Sequence, residues 1–313
     1  MKAWQKRRGQ LLLADVPDPT PAADELVLQV HAVSLNRGEV RGATRAADGS
    51  IPGWDVAGTV IAPAKSGAGP AKGVRVSALL DSGGWAEKVA VPVSRAAIIP
   101  EGIDFDVAAT LPIAGLTILR AFALASPLKG KRLLITGGSG GVGQFAIQLA
   151  ALDGAEVCAV SSRAAQHEAL RTLGAKEIAA TIDSAQGPFD LILESVGGSS
   201  LAKAIELVGR QGVVVTIGNS SEQETTFNAR TLYAKGAARI YGLLIFEEVA
   251  SGRVGAQDLE RLMALVHDGR LHSPISLRRS WNELPDTMRE LEFREYPGKA
   301  VLRVLEHDPP HAS

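Results

Sequence analysis

The amino-acid sequence predicts an α/β protein of two domains, a β-rich part followed by a doubly wound parallel sheet. Three observations carry this. A chain of 313 residues is long for a single hydrophobic core, so two domains are the default. Residues 1 to about 115 hold short apolar runs cut by Gly, Pro, Asp and Ser clusters, which is strand and turn chemistry. From Lys131 to Val266 the pattern becomes strand, turn and helix in repetition, which indicates βαβ units and a sheet covered on both faces.

Taken in order, Leu11–Leu13 follows a basic cluster. The run is too short for a signal sequence and no small-residue cleavage site follows, so it reads as a strand and the chain as cytoplasmic. Glu25–Ala32, Gly58–Ala62, Val74–Leu79 and Trp85–Pro92 read as further strands, and Ala64–Gly73 as a loop rich in glycine and proline. Ala108–Ala125 suits one helix, bent early by Pro112 and Gly115. Strands are then expected at Arg132–Thr136, Glu156–Ser161, Glu177–Ala180, Leu191–Ser195 and Gly212–Ile217. Helices are expected at Val142–Leu152, Ala164–Leu173 and Ser199–Val208. Arg239–Ile245 reads as an apolar edge strand, Val254–His267 as a helix, and Lys299–Leu305 as a strand returning to the first domain. No internal repeat is visible.

Composition excludes several functions. The net charge is −1, so no general attraction to nucleic acid or an anionic membrane is expected. No apolar run reaches the roughly 18–20 residues of a membrane span. Cys158 is the one cysteine, which rules out an intramolecular disulfide and cysteine-rich structural zinc. Its place in an apolar strand pattern reads as an inert core thiol, the alternative being a reactive one in an electropositive setting. His31, His167, His267, His272, His307 and His311 show no ligand spacing.

The strongest signal is the segment Leu133 to Leu149. Gly138, Gly140 and Gly143 satisfy G-x-G-x-x-G after an apolar strand and at the opening of a helix, the context in which that spacing is informative. One glycine permits a tight turn, one lets backbone approach a pyrophosphate, and one lets helix and strand pack closely. Gly138, Ser139, Gly140, Gly141, Val142 and Gly143 are therefore candidate cofactor residues, their amides and the helix dipole binding the anion. About 20 residues on, where an NAD site carries Asp or Glu, this chain has Ser161, Ser162 and Arg163. A planar guanidinium pairs with a 2′-phosphate, so Ser162 and Arg163 point to NADPH. The alternative is a solvated arginine at a helix start.

With these residues placed, the chain resembles the zinc-independent quinone oxidoreductase branch of the medium-chain dehydrogenase/reductase superfamily over nearly its whole length. The segment Ser34–Glu39 resembles the one that carries the family's active-site asparagine, here Asn36. Ile51-Pro-Gly-Trp-Asp-Val-Ala-Gly58 is similar to its P-G-x-D-x-A-G signature, Gly83-Gly-Trp-Ala-Glu87 to its G-G-aromatic-A-E strand, and Leu111–Thr117 to the helix entering the cofactor domain. The turn Gly140–Gly143 and the later Ile217-Gly-Asn-Ser-Ser221 agree as well, adding Gly218 and Asn219 to the cofactor residues. The resemblance implies a GroES-like domain over 1–115, completed by about 272–313, and a Rossmann domain over 116–271. It also implies an active site in the cleft between them and a homodimer formed at the Arg239–Ile245 edge. Departures matter too. Where zinc-dependent relatives have G-H-E this chain has Gly53-Trp-Asp55, so three protein ligands around an open position are not available and no metal is expected. Places where this branch often carries tyrosines hold Arg41 and a Gly/Ala/Arg loop, so substrate preference does not carry over.

Without metal or an evident nucleophile, hydride chemistry belongs to the cofactor and the protein positions and polarises. The expected reaction is NADPH-dependent reduction of a quinone or an α,β-unsaturated carbonyl. Asn36 is the first candidate to orient substrate or nicotinamide ribose, and Thr117 a second near the ring. Against these stand a turn-forming asparagine and a helix hydroxyl bonded to its own backbone. No proton donor is named. Two other functions remain open: an enoyl-thioester or alkenal/alkenone reductase, and an NADPH-binding sensor or structural protein without turnover.

Overall fold

A computed structural model describes residues 1–304 and divides the chain into two compact units, each with its own sheet. The first unit comprises Met1–Ile113, Gly255–Gly269 and the stretch from Ile275 onward; the second comprises Ala114–Val254 and Arg270–Pro274.

The first unit opens with a hairpin of β1 (Lys2–Arg7) and β2 (Gln10–Asp15), so Leu11–Leu13 is indeed in a strand. β3 (Glu25–Ser34), β4 (Asp55–Ala62), β5 (Arg75–Leu79), β6 (Lys88–Pro92) and β7 (Ala96–Ile98) follow. β3 pairs antiparallel with both β4 and β6, and β5 lies between β4 and β7. The sequence reading did not anticipate α1 (Arg37–Arg45), which starts on Asn36 as its N-cap. The single helix expected over Ala108–Ala125 is two, α2 (Phe105–Ala109) and α3 (Pro112–Ala123). Pro112 falls at the start of α3, where its missing N–H costs nothing; Gly115 lies inside the helix and does not break it.

The second unit is built on β8 (Arg132–Ile135), β9 (Glu156–Val160), β10 (Ala175–Ala179), β11 (Phe189–Glu194), β12 (Val208–Thr216) and β13 (Arg239–Gly242). All are parallel, in the order β10-β9-β8-β11-β12-β13. The chain runs outward from β8 through β9 to β10, then returns to lay β11 on the other side of β8. That reversal is the topological switch point at which doubly wound sheets bind ligands, outside the carboxyl ends of the strands. Leu133–Ile135, Leu191–Leu193 and Val213–Val215 are buried throughout, as strands covered on both faces require. Between strands run α4 (Gly141–Leu152), α5 (His167–Thr172), α6 (Gly198–Leu207), α7 (Ala229–Tyr233) and α8 (Ile245–Ala250). The expected strand Arg239–Ile245 is thus shorter than predicted. It ends at Gly242, and Ile245 opens α8, where Glu247 and Glu248 in the first turn favour the helix N-terminus.

The chain re-enters the first unit with α9 (Ala256–His267), then adds β14 (Ile275–Ser280), α10 (Leu284–Glu292) and β15 (Lys299–Arg303). β15 pairs with β3 and completes the order β14-β15-β3-β4-β5-β7. The predicted extension of this strand to Leu305, and His307 and His311, lie outside the described residues. Leu26, Leu28, Val30, Trp85 and Leu302 form part of its core, each such side chain contributing about 1.5–3 kcal/mol on burial. Trp4 Nε1 donates to the Trp281 carbonyl at 3.1 Å and ties the two ends of the sequence together.

Candidate cofactor and active site

In the second unit the residues predicted to hold a cofactor all follow carboxyl ends of parallel strands. β8 runs into a turn whose left-handed residue is Gly137, with φ of 65°, one position before the glycines singled out from the sequence. Gly140 N–H donates to the Gly137 carbonyl at 2.9 Å and Gly138 N–H to Val160 at 2.9 Å, so the turn is closed on itself and tied to the end of β9. Gln144 Nε2 holds the Ser139 carbonyl at 3.0 Å. α4 begins on Gly140, which has no side chain to cap it, and no acidic residue lies in its first turn. The first amides of a helix have no intrahelical partner, so Gly141, Val142 and Gly143 present N–H groups and the positive dipole end together.

Past β9, Ser161 is buried, Ser162 is exposed and Arg163 is half-buried. The Arg163 N–H donates to Ser161 Oγ at 3.3 Å, and no carboxylate stands in this segment. Gly218 and Asn219 follow β12. Here the structure brings in residues that sequence reasoning missed. Thr136 and Ser195, at the ends of β8 and β11, lie with their hydroxyls 3.2 Å apart, and Ser195 N–H donates to Thr136 Oγ at 2.9 Å. Glu194, fully buried, accepts from Val196 and Gly197 N–H at 3.0 and 2.9 Å and from Ser200 Oγ at 2.8 Å. Ser220 and Ser221 N–H groups bond back to Ser195 and Val196 carbonyls, and Asn219 packs so closely on Gly197 that a Cβ there would lie 2.2 Å from its Oδ1. The loops after β8, β11 and β12 are one hydrogen-bonded assembly at the switch point. Only the order of strands reveals it, since Thr136, Ser195 and Asn219 are far apart in sequence.

Thr117 is buried within α3. Cys158 is buried in β9, and burial pushes its thiol up to about 11, which leaves no thiolate for chemistry.

Asn36 belongs to the first unit. Its Nδ2 donates to Asp55 Oδ2 at 2.8 Å, and its Oδ1 accepts from Lys299 Nζ at 2.8 Å. Lys299 also reaches Asp55 Oδ2 at 3.3 Å, and the Ile113 N–H donates to Asp55 Oδ1 at 2.8 Å. Glu39 closes the group by accepting the N–H of Asn36 at 2.9 Å and of Trp54 at 2.5 Å. Glu39, Asp55 and Lys299 are each at most 3% exposed. Burial, then the neighbouring Asp55, pushes Glu39 up to about 8. Burial also raises Asp55, opposed by Lys299, the Asn36 amide and the Ile113 N–H. Three donors, one of them the Lys299 ammonium, converge on Asp55, and both Glu39 oxygens accept backbone N–H groups. Of this cluster the sequence singled out Asn36 alone; Asp55 and Glu39 stood inside the matching segments, Glu39 at capping-box spacing from Asn36, and Lys299 carried no local signal. Among the described residues no three His, Cys, Asp or Glu side chains converge as metal ligands, and no helix is long and apolar enough to cross a membrane.

Comparison with known proteins gives the arrangement a family. A family model described as zinc-binding dehydrogenase matches residues 141–267. A chloroplast envelope quinone oxidoreductase homolog of Arabidopsis thaliana is 28% identical over 311 residues, covering 92% of each chain. The quinone oxidoreductase of Coxiella burnetii superposes with a TM-score of 0.82 at 27% identity, covering 97% of this chain and 98% of that one. The chain belongs to the medium-chain dehydrogenase/reductase superfamily, in its quinone oxidoreductase branch. This medium-chain dehydrogenase/reductase is accordingly an oxidoreductase. A mycobacterial protein solved with NADPH shares the fold, with a TM-score of 0.87 at 21% identity over 97% of this chain and 99% of its own.

Proposed function

We propose that this oxidoreductase reduces a small quinone or an α,β-unsaturated carbonyl with NADPH, without a metal ion. The observation that carries the reading is the Asn36 amide, half-buried and held between the Lys299 ammonium and the Asp55 carboxylate. A metal polarises an isolated carbonyl, a Lewis-acid contribution of several kcal/mol. In a conjugated acceptor the incoming charge spreads onto a remote oxygen, which a single amide N–H can stabilise. Asn36 supplies that donor. The Asp55 oxygens are already engaged by three donors, which argues against a cation there.

The second unit fits a dinucleotide on its own terms: an uncapped helix start behind a glycine turn, and a serine–arginine pair where a carboxylate would repel phosphate. Backbone N–H groups from Gly138, Ser139, Gly140, Gly141, Val142 and Gly143 hold the pyrophosphate. Ser162 and Arg163 hold the 2′-phosphate, and Gly218 and Asn219 bound the site past β12. Thr117 contributes a hydroxyl beside the ring. NADPH, once bound, supplies the hydride. The first unit serves the acceptor and the second the cofactor, and the protein works as a homodimer in the cytoplasm with no nucleic-acid or membrane partner.

The test follows NADPH absorbance with 1,4-benzoquinone, an enone and a saturated aldehyde side by side, with elemental analysis of the purified protein. Turnover of the conjugated acceptors without stoichiometric zinc is expected. Faster reduction of the saturated aldehyde defeats the mechanism, and silence on all three favours a binding protein without turnover.

A further inference from the structure

An amide side chain has two ends of nearly equal size and opposite polarity, and what decides its orientation is the set of charges around it. At Asn36 the choice is forced. Lys299 Nζ stands 2.8 Å from Oδ1 and Asp55 Oδ2 2.8 Å from Nδ2. Rotating the amide by half a turn would set –NH2 against –NH3⁺ and C=O against a carboxylate, two repulsive contacts in a buried place. With the observed orientation, one Nδ2–H is given to Asp55 and the other has only a long 3.4 Å contact with the Ser34 carbonyl.

We infer that Lys299 is a positioning residue, which fixes the Asn36 amide so that an N–H is offered to the acceptor and strengthens that N–H as a donor. This rests on the reading of Asn36 as the group that meets the acceptor oxygen. The strengthening is ordinary amide electronics. A cation on the carbonyl oxygen draws density along the O–C–N unit, leaving the nitrogen protons more positive, and charge-assisted contacts of this kind are the stronger ones. Glu39 supports the arrangement by holding the Asn36 and Trp54 N–H groups. Lys299 comes from β15, at the far end of the sequence, yet every cluster partner it touches lies in the first 55 residues. The partly exposed Asn36 is the member through which this buried charge reaches a ligand.

The experiment uses the full chain with 1,4-benzoquinone and NADPH. Lys299→Met removes the ammonium. Because it also strands the Asp55 carboxylate, Lys299→Met/Asp55→Asn is made alongside; it removes both charges and keeps an acceptor oxygen for the Asn36 N–H. Both are expected to lower kcat about tenfold to a hundredfold, the worth of a hydrogen bond to a charged group, with Kd for NADPH changed by no more than about twofold. In an Asn36→Ala background, Lys299→Met should cost little more than about twofold, the mark of two residues acting through one interaction. In the ligand-free protein, the Asn36 side-chain amide pair, assigned by its loss in Asn36→Ala, should shift in the nitrogen–proton NMR spectrum on Lys299→Met. Equal kcat losses in both backgrounds, or an unmoved amide signal, would overturn the role of Lys299. Undiminished turnover in Asn36→Ala would instead remove the reading of Asn36, and the amide signal still reports separately whether Lys299 holds it.

Discussion

A Cβ placed on Gly143 would lie 2.3 Å from the carbonyl oxygen of Gly137 and 2.7 Å from Gly138 Cα. The first turn of α4 therefore rests directly on the turn that ends β8, backbone against backbone, with no flexible side chain to give way. Gly143→Ala is expected to destabilise the protein by about 1–3 kcal/mol and to weaken NADPH binding as the turn is displaced. Gly42 is the contrast. It is exposed in α1, its φ is ordinary, and a Cβ there meets nothing within 4 Å. Gly42→Ala should stabilise by about 0.5–1 kcal/mol. Denaturant unfolding of the two variants measures both signs.

On the proposed function, Arg163 is the residue that should decide between the cofactors. With no Asp or Glu in the Ser161–Arg163 segment and a guanidinium just past β9, NADPH should bind more tightly than NADH. Arg163→Ala should narrow the difference by about tenfold to a hundredfold, mainly through weaker NADPH binding. Titrations giving equal dissociation constants for the two cofactors in the unmodified protein would sink this expectation.

Asn36→Ala should lower kcat/KM for a conjugated acceptor by more than it raises Kd for NADPH, because the lost interaction belongs to the developing oxygen charge. Steady-state kinetics set beside equilibrium binding separate the two. A loss confined to NADPH affinity would assign Asn36 to the cofactor instead.

Glu248 sets an acid limb in stability. It is 3% exposed and accepts from Arg120 Nε at 2.6 Å, Arg253 at 3.1 Å and the Tyr241 hydroxyl. Those three donors overcome the cost of its burial and hold its carboxyl down to about 2, against 4.5 ordinarily. A depressed carboxyl contributes stability that is full above its unfolded value and lost as pH falls through the folded one. Stability should therefore decline between about pH 4.5 and pH 2, and Glu248→Gln, less stable at neutral pH, should flatten that decline. Unfolding free energies measured across this window check the slope.

The far edge of β13 ends the parallel sheet, and Ile240 in it and Leu244 just past it are 37% and 56% exposed. An apolar open edge is a pairing surface, and a second copy of the chain related by a two-fold axis would extend the sheet across it. A dimeric mass at micromolar concentration is expected in sedimentation, with Ile240→Lys shifting it to monomer. A monomeric unmodified protein counts against the pairing.

Much of this molecule is written locally. The parallel sheet was legible because strands buried on both faces become unbroken apolar runs such as Leu133–Ile135 and Val213–Val215, and the glycine turn because tight backbone packing tolerates no side chain. Leu11–Leu13 and the helix behind Gly140 were likewise visible from neighbours in sequence. The boundary at Gly242 was not, because an apolar run does not say where a strand yields to a helix, and α1 was missed because two glycines and three arginines carry no apolar period. What the tertiary structure alone decided is which distant groups meet. Lys299, Asp55, Glu39 and Asn36 come from two strands, a helix and its cap, and nothing in the spacing of 36 and 299 anticipates an ammonium 2.8 Å from an amide oxygen. The order in which β15, β3 and β4 pair sets that contact, since sheet pairing brings residues together by register and not by sequence distance.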